Sequence, residues 1–311
     1  MTNAVSTPAP EPTTGGKPRR RVVRDAIEAA AVWMVLACFR QMGVESASNV
    51  AGAIVRTVGP WLSFHRRALR NLRIAFPERT ESERAAIAVA MWEHLGRMLG
   101  ELAHMDEFDC LAGTRVEVVG IEYLRAMRDD GIGGIVFSGH TGWWDLLGKS
   151  INQGGLVAPV IYRRVNNPRL NQIMHRARTD VTPAYVDKGA GAARTLIAGL
   201  KAGHHFMMLV DQKFNAGIAV PFFGRPAMTA PALAQFAVRD GIPILPVRCE
   251  RLGPARFRIT YYPPLAPANS GDRTADVAAT MLRVNQMIEA WIRERPEQWL
   301  WPHNRWPAEL S

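Results

Sequence analysis

Hydrophobic and polar positions along the chain form two alternating patterns. Short apolar runs bounded by glycine or polar residues predict buried strands, and apolar residues three and four positions apart predict helices. The predicted strands cover residues 116–119, 133–138, 157–162, 183–186, 205–210, 244–249 and 256–262. The predicted helices cover residues 121–128, 145–152, 169–178, 190–201, 230–240 and 276–293, and 214–229 is predicted to be a loop. This alternation predicts an α/β fold with a mixed, mostly parallel central sheet flanked by helices.

The chain before residue 116 is predicted to be mainly helical. Residues 50–73 carry Arg66, Arg70 and Arg73 on one helical face. Thr80, with Glu83 three positions later, is typical of a capping box that opens a helix to about residue 105. The arginine face fits either a solvated surface or a patch for lipid phosphate or an acidic carrier protein.

Three segments divide the chain. Residues 1–24 are rich in Pro, Thr and Ala and end in a basic cluster, which predicts a disordered basic tail. Residues 25–45 contain an apolar run too short for a bilayer crossing but flanked by arginines. We expect a membrane-associated helix there, at an interface rather than across it, with an ordinary core helix as the alternative. Residues 46–311 form the remaining domain.

Composition narrows the class of protein. The 311 residues are 48% hydrophobic, and 38 basic against 28 acidic residues give a net charge of +10. Such a charge favours an anionic partner, such as anionic lipid headgroups or an acidic carrier protein. Nucleic acid is not expected, since no recognisable binding motif is present. Cys38, Cys110 and Cys249 are widely spaced, which argues against a zinc ribbon or a disulfide framework.

The most informative stretch surrounds His140. A short apolar run, 135–137, predicts a buried strand, and His140 follows just past its end with Asp145 five positions later. In open α/β sheets, catalytic groups gather outside the carboxyl ends of the strands. His140 is therefore a candidate general base, and a nearby carboxylate would fix its tautomer.

Other polar residues follow neighbouring strands. Arg163 and Arg164 follow one strand and Asp211 another, and Arg178 lies one helix beyond Arg163. We expect these groups to converge with His140 on one cleft. No pattern calls for a metal ion or another cofactor.

A set of short motifs then resembles a known family. In chain order they are Asn71-Leu-Arg-Ile-Ala-Phe-Pro77, His140-x4-Asp145, Tyr162-Arg163 with Asn167-Pro168, Asp211-Gln212, Val220-Pro-Phe-Phe-Gly224 with Pro226-Ala227 and Thr229, and Trp301-Pro-His303-Asn-Arg305. Together they are similar to the bacterial lipid A biosynthesis acyltransferases, the lauroyl and myristoyl transferases. The resemblance covers roughly residues 45–306, which makes 46–311 an acyltransferase domain.

The resemblance implies an O-acyltransferase at the cytoplasmic face of the inner membrane, active in lipopolysaccharide biosynthesis. The donor would be acyl carrier protein or acyl-CoA, and the acceptor a hydroxyl of a lipid A precursor. His140 and Asp145 match the family's histidine and acidic partner, and Arg178 and Asp211 match its substrate-binding positions. Departures from the family pattern, such as Lys213 after Asp211-Gln212, bear on the identity of donor and acceptor.

The chemistry follows from these residue types. His140 would take the proton of the acceptor hydroxyl as it attacks the thioester, and Asp145 would orient the ring. Arg178, with Arg163 and Arg164, would hold a phosphate. Backbone amides near residues 139–142 could stabilise the oxyanion.

Two alternatives stay open. One keeps the chemistry but changes the acceptor to a phosphatidylinositol mannoside, an ornithine lipid or another lysolipid. The other is a membrane-associated homologue without turnover.

Overall fold

A computed structural model describes residues 19–162, 165–178, 181–182, 184–187 and 191–307. Arg163 and Arg164 lie outside the described residues. The helices are α1 (Arg19–Arg40), α2 (Val44–Val58), α3 (Ser63–Ala75), α4 (Glu81–Leu102), α5 (Ile121–Asp129), α6 (Trp144–Gln153), α7 (Pro168–Ala177), α8 (Ala192–Lys201), α9 (Ala232–Asp240) and α10 (Arg273–Glu294). The strands are β1 (Val116–Val119), β2 (Ile135–Ser138), β3 (Val160–Tyr162), β4 (Tyr185–Asp187), β5 (Phe206–Leu209), β6 (Ile218–Phe222), β7 (Arg225–Thr229), β8 (Ile244–Gly253) and β9 (Arg256–Tyr261).

Within the described residues the central sheet has seven strands in the order β1-β9-β8-β2-β5-β3-β4. β8 and β9 pair antiparallel, and the other neighbouring pairs are parallel. The predicted α/β fold with a mixed, mostly parallel sheet is therefore confirmed.

Side chains of the central strands pack on both faces of the sheet. All four residues of β2 are buried, and Ile135 and Phe137 belong to one hydrophobic cluster while Val136 belongs to the other. This alternation follows from the two-residue period of a strand. It explains why β2 reads as a continuous apolar run, since helices cover both faces.

The segment 214–229, predicted to be a loop, contains a β-hairpin. β6 and β7 pair antiparallel, and Phe223 and Gly224 connect them with φ values of 51° and 68°. Two successive residues with positive φ are typical of a type I′ turn, whose twist matches that of paired strands. The prediction failed because Pro221 and Pro226 read as strand breakers, whereas a strand at an edge tolerates proline.

The helices before β1 pack against one another and against the sheet domain. α2 lies directly on α4, where a Cβ on Gly96 would come within 2.4 Å of the Ala51 carbonyl oxygen and one on Gly100 within 2.4 Å of the Ala47 carbonyl oxygen. Small residues therefore allow the two backbones to approach closely. The predicted capping box is confirmed at the start of α4, where Thr80 and Glu83 bond each other's backbone amides.

α1 begins at Arg19, earlier than the predicted boundary at residue 25, and ends at Arg40. Its Asp25, Ala29 and Phe39 are buried, and Asn167 at the start of α7 donates to the Asp25 carbonyl oxygen at 2.8 Å. Among the described residues, none of the helices is both long and apolar enough to cross a membrane.

Candidate active site

His140 and Asp211 meet because they follow adjacent parallel strands. β2 ends at Ser138 and β5 at Leu209, and these two residues are paired in register. Two residues past each strand end, the chain therefore delivers His140 and Asp211 to the same edge of the sheet. This is the edge of the sheet, at the carboxyl ends of the strands, where catalytic groups of open α/β sheets gather.

Asp211 holds the His140 residue through both of its oxygens. The ring Nδ1 of His140 lies 2.7 Å from Oδ1 of Asp211, and the backbone amide of His140 donates to Oδ2 at 2.8 Å. The indole Nε1 of Trp299 also donates to Oδ2, at 2.7 Å. Asp211 is 2% exposed, so these donors take the place of water around its carboxylate.

The protonation state of Asp211 follows from this environment. Burial would by itself raise the pKa of Asp211, but the neighbouring His140 charge and the three hydrogen bonds outweigh it and hold that pKa well below its usual value. Asp211 is therefore a carboxylate that only accepts hydrogen bonds. The Nδ1 atom of His140 must then carry a proton, so that in the neutral form of the ring the lone pair is on Nε2.

The Nε2 atom of His140 is bonded by a side chain that follows Asp211 in the sequence. It lies 3.2 Å from the side-chain Nε2 of Gln212, whose amide donates to the ring lone pair. Trp144 lies edge-on to the imidazole, with ring centroids 5.2 Å apart. The His140 side chain is 13% exposed, so the base is sheltered but reachable.

Asp145 does not orient the His140 ring, which corrects the predicted pairing. Both ring nitrogens have other partners, and the Oδ2 of Asp145 pairs instead with a guanidinium nitrogen of Arg178 at 3.0 Å. The reason is local geometry: Asp145 lies in the first turn of α6, where the helix dipole favours a carboxylate but the side chain points toward the end of α7. Arg178 is thus linked to Asp145, which lies five residues after His140 in the chain.

Two of the amides expected to stabilise an oxyanion already have partners. The amide of His140 donates to Asp211, and that of Gly142 donates to the Gln298 carbonyl oxygen at 3.0 Å. These two amides are therefore used to hold the loop in place.

A protein nucleophile is not favoured at this site. Ser138 is fully buried at the end of β2. Burial raises the pKa of the nearby Cys249 thiol to about 12, so it is not a thiolate at neutral pH. The accessible reactive atom at the strand ends is the imidazole Nε2 of His140.

Sequence reasoning missed two residues that touch the His140–Asp211 pair. Gln212 was noticed only as part of a motif, and Trp299 was assigned no role in the site. Their signal was position: Gln212 follows Asp211 directly, and Trp299 lies two residues before the C-terminal motif that begins at Trp301. That motif returns to the cleft, since His303 accepts from the Lys213 amide through Nε2 at 2.9 Å.

Comparisons with known proteins identify the family. A family profile described as bacterial lipid A biosynthesis acyltransferase matches residues 13–308. The chain is 25% identical to the lipid A biosynthesis lauroyltransferase of Escherichia coli over 244 residues, 76% of each protein. It is 25% identical over 250 residues to the lipid A biosynthesis myristoyltransferase of the same organism, with 77% of this chain and 74% of that protein covered. It is also 25% identical to a phosphatidylinositol mannoside acyltransferase of Mycobacterium tuberculosis over 306 residues, 94% of this chain and 93% of that protein.

The family match covers nearly the whole chain and includes the paired residues His140 and Asp211. The chain is therefore an O-acyltransferase that belongs to the bacterial lipid A biosynthesis acyltransferase family.

Proposed function

We propose that this enzyme transfers a fatty acyl chain from an acyl thioester, carried by acyl carrier protein or CoA, to a hydroxyl of a lipid A precursor. The observation that carries the proposal is the His140–Asp211 pair, with its 2.7 Å bond at Nδ1 and the partly exposed ring, whose Nε2 is bonded only by the Gln212 amide among the described residues. The names of the matching relatives supply the substrate class.

The proposed reaction uses His140 as a general base. Nε2 takes the proton of the acceptor hydroxyl as its oxygen attacks the thioester carbonyl carbon, and Asp211 stabilises the imidazolium that forms. When the tetrahedral intermediate collapses, the carbon–sulfur bond breaks and the imidazolium returns the proton to the leaving thiolate. The acceptor hydroxyl must displace the Gln212 amide from Nε2 before this transfer begins.

Arg178 is proposed to bind a phosphate of the glycolipid or of the donor. Its side chain is 24% exposed, and Asp145 holds one of its guanidinium nitrogens at 3.0 Å, which leaves part of the planar fork for an anionic ligand. Asp145 would thus act by positioning Arg178. Arg163 and Arg164 follow β3, the neighbour of β5 in the sheet, and are proposed as further phosphate ligands.

We further propose that the N-terminal helices dock on the cytoplasmic face of an anionic inner membrane. On α2, Val50, Ile54 and Val58 form an exposed stripe that continues to Trp61, which is 89% exposed. The opposite face of α2 is buried against α4, so the helix is apolar on both sides. Trp33 on α1 is 62% exposed as well. Together with the net charge of +10, this exposed apolar surface suits an interface rich in anionic lipid.

A second acceptor is a phosphatidylinositol mannoside. The match to the mycobacterial enzyme of that name spans 94% of this chain, against 76% for the lauroyltransferase. Donor chemistry and the role of His140 are the same in both reactions.

The test is lipid analysis of a strain that lacks the gene. Re-expressed wild-type enzyme is expected to restore a glycolipid heavier by one acyl chain, and the His140→Ala enzyme is expected not to restore it. The mass of the lipid that changes identifies acceptor and acyl chain, and comparison of lauroyl-acyl carrier protein with lauroyl-CoA in vitro identifies the donor. Restoration by the His140→Ala enzyme at the wild-type level would contradict the proposal.

A further inference from the structure

A buried polar cluster lies behind the loop that carries His140. Its centre is Arg251 on β8, whose guanidinium forms a two-point ion pair with Glu101 on α4, with one N···O distance of 2.7 Å. Glu101 is fully buried and also accepts from the Ser48 hydroxyl at 2.8 Å. The cluster therefore joins α2, α4 and β8 beneath the catalytic loop.

His94 links this cluster to the loop. The Nε–H of Arg251 donates to Nδ1 of His94 at 3.1 Å, and Nε2 of His94 lies 3.0 Å from the Gly142 carbonyl oxygen. An arginine only donates, so Nδ1 must accept and the ring proton must be on Nε2. Burial, with the charge of Arg251, lowers the pKa of His94 to about 3, which keeps the ring neutral in this tautomer.

Gln298 holds the same glycine from the other side. Its side chain accepts from the Arg251 amide at 2.8 Å and donates to the Arg251 carbonyl oxygen at 3.0 Å. Its backbone carbonyl accepts from the Gly142 amide. Both polar backbone groups of Gly142 are thus held by residues that Arg251 holds.

The backbone conformation at Gly142 requires a glycine. Its φ is +58°, and a Cβ there would come within 2.1 Å of the Cys249 carbonyl oxygen. The backbone at Gly142 therefore lies close to β8, and only Thr141 separates Gly142 from His140. We therefore expect a change in the hydrogen bonds of Gly142 to shift His140.

Stability alone does not account for the cluster. A buried ion pair seldom stabilises a fold more than well-packed apolar residues of the same volume would, because both charges lose their water. Such a cluster fixes the orientation of the groups that it joins, since each of its hydrogen bonds is directional. Through His94 the cluster reaches the Gly142 carbonyl in the loop that carries His140, and the orientation of a general base affects the rate of catalysis.

We propose that His94 is a positioning residue for acyl transfer, one that fixes the Gly142 carbonyl and thereby aims His140 at the acceptor hydroxyl. The proposal rests on the proposed role of His140 as the base. Arg251, Glu101 and Gln298 act through the same hydrogen-bonded circuit.

Two substitutions separate positioning from packing. In His94→Asn, the amide oxygen replaces Nδ1 and still accepts from Arg251, but the shorter side chain does not reach Gly142. In His94→Gln, the amide nitrogen replaces Nε2 and still donates to the Gly142 carbonyl. With purified full-length enzyme, radiolabelled lauroyl-CoA and lauroyl-acyl carrier protein, and membranes of the deletion strain, we expect His94→Asn to lower kcat about 10- to 100-fold with little change in KM. His94→Gln is expected to recover most of kcat.

His205→Asn is the matched control. His205 is another buried histidine bonded to a backbone carbonyl, that of Met127 at 3.0 Å, but it precedes β5 at the opposite end of the sheet from the site. Its asparagine variant is expected to lose stability without a change in kcat per folded molecule.

A proton NMR signal of His140 Nδ1–H gives a readout that does not depend on turnover. We expect this signal in wild-type enzyme and His94→Gln, and its broadening or loss in His94→Asn. A folded His94→Asn enzyme with wild-type kcat and an unchanged His140 signal would overturn the positioning role, and so would equal losses of kcat in both His94 variants. If wild-type enzyme transfers no acyl chain to any acceptor, the proposed function fails instead, and the NMR comparison still decides the role of His94.

Discussion

At the scale of single residues, the site depends on which carboxylate serves His140. Three donors converge on Asp211, and burial gives it no water to replace any of them. Asp145 serves Arg178 instead. The two aspartates therefore have different roles, and their amide variants should have different kinetic effects.

Asp211→Asn is expected to lower kcat by about 100-fold or more, because a neutral amide cannot stabilise the imidazolium. The NH2 group of the asparagine would also face one of the three N–H groups that now donate to the carboxylate. Asp145→Asn is expected to act mainly on KM for the phosphate-bearing substrate, since Arg178 loses its partner. Steady-state kinetics on both variants provide the comparison. A larger loss of kcat in Asp145→Asn than in Asp211→Asn would reverse the assignment.

His94 predicts a pH dependence of folding stability. Its folded pKa of about 3 lies below the value of about 6.5 for an unfolded histidine, so the unfolded chain binds this proton first as the pH falls. Stability from this residue is present above about pH 6.5 and is lost progressively below it. In His94→Gln this contribution is absent, so the difference in unfolding free energy between wild type and variant should narrow by about 2 kcal/mol from pH 7 to pH 5. Urea unfolding at both pH values measures it, and a constant difference would contradict it.

Sequence reasoning placed His140 and Asp211 at one cleft but chose the wrong partner for the ring. Spacing favoured Asp145, five residues away along the chain. Asp211 is 71 residues away, and it reaches His140 because β2 and β5 are neighbours in the sheet. Strand order is a property of the folded sheet, so local spacing could not reveal it.

At the scale of elements, most boundaries follow local signals. The strand predicted at 116–119 matches β1, and the predicted helices after it match α5 to α10 within a few residues. The hairpin of β6 and β7 was missed because its prolines lie at positions that a two-stranded edge tolerates. Residue periodicity therefore predicted the helices and most strands well. It failed at the hairpin, where pairing at an edge allows prolines within strands.

The capping box of α4 provides a prediction at this scale. Thr80→Ala removes the side-chain acceptor for the Glu83 amide and should lower the unfolding free energy by about 1 kcal/mol. Thr57→Ala is the matched control, because the Thr57 hydroxyl only donates to the Ala53 carbonyl oxygen within α2. We expect that control to change stability by less than about 0.5 kcal/mol. Equal effects in urea unfolding would show that the cap contributes nothing of its own.

At the scale of the whole molecule, the proposed membrane interface consists of the exposed apolar residues of α1 and α2. Trp61→Ser is expected to reduce co-sedimentation of the protein with vesicles that contain anionic lipid, because a large exposed ring is lost from the proposed interface. Ile132→Ser is the control, since Ile132 is also exposed but lies before β2, outside the helices of the proposed interface. Equal binding of wild type and Trp61→Ser would remove α2 from the proposed interface. Raising the salt concentration should weaken binding of all three proteins.

The arginines of α3 illustrate a limit of sequence patterns at this scale. Arg66, Arg70 and Arg73 share a face, as predicted, but Arg73 pairs with Glu81 at 3.0 Å and Arg70 donates to Asn304 at 2.9 Å. Part of the basic face is therefore used to bind other parts of the same chain. A charge pattern shows where cations lie along a helix, and only the fold shows which partners they find.

The sequence by itself determined the class of fold, the position of His140 past a buried strand, and the family, since these depend on local periodicity and on ordered motifs. The tertiary structure decided that Asp211 holds His140, that Asp145 holds Arg178, and that His94 and Arg251 lie behind the catalytic loop. Each of these contacts joins residues from different elements. They arise when the sheet orders its strands and α4 packs behind them, and neither event leaves a signature in the spacing of residues along the chain.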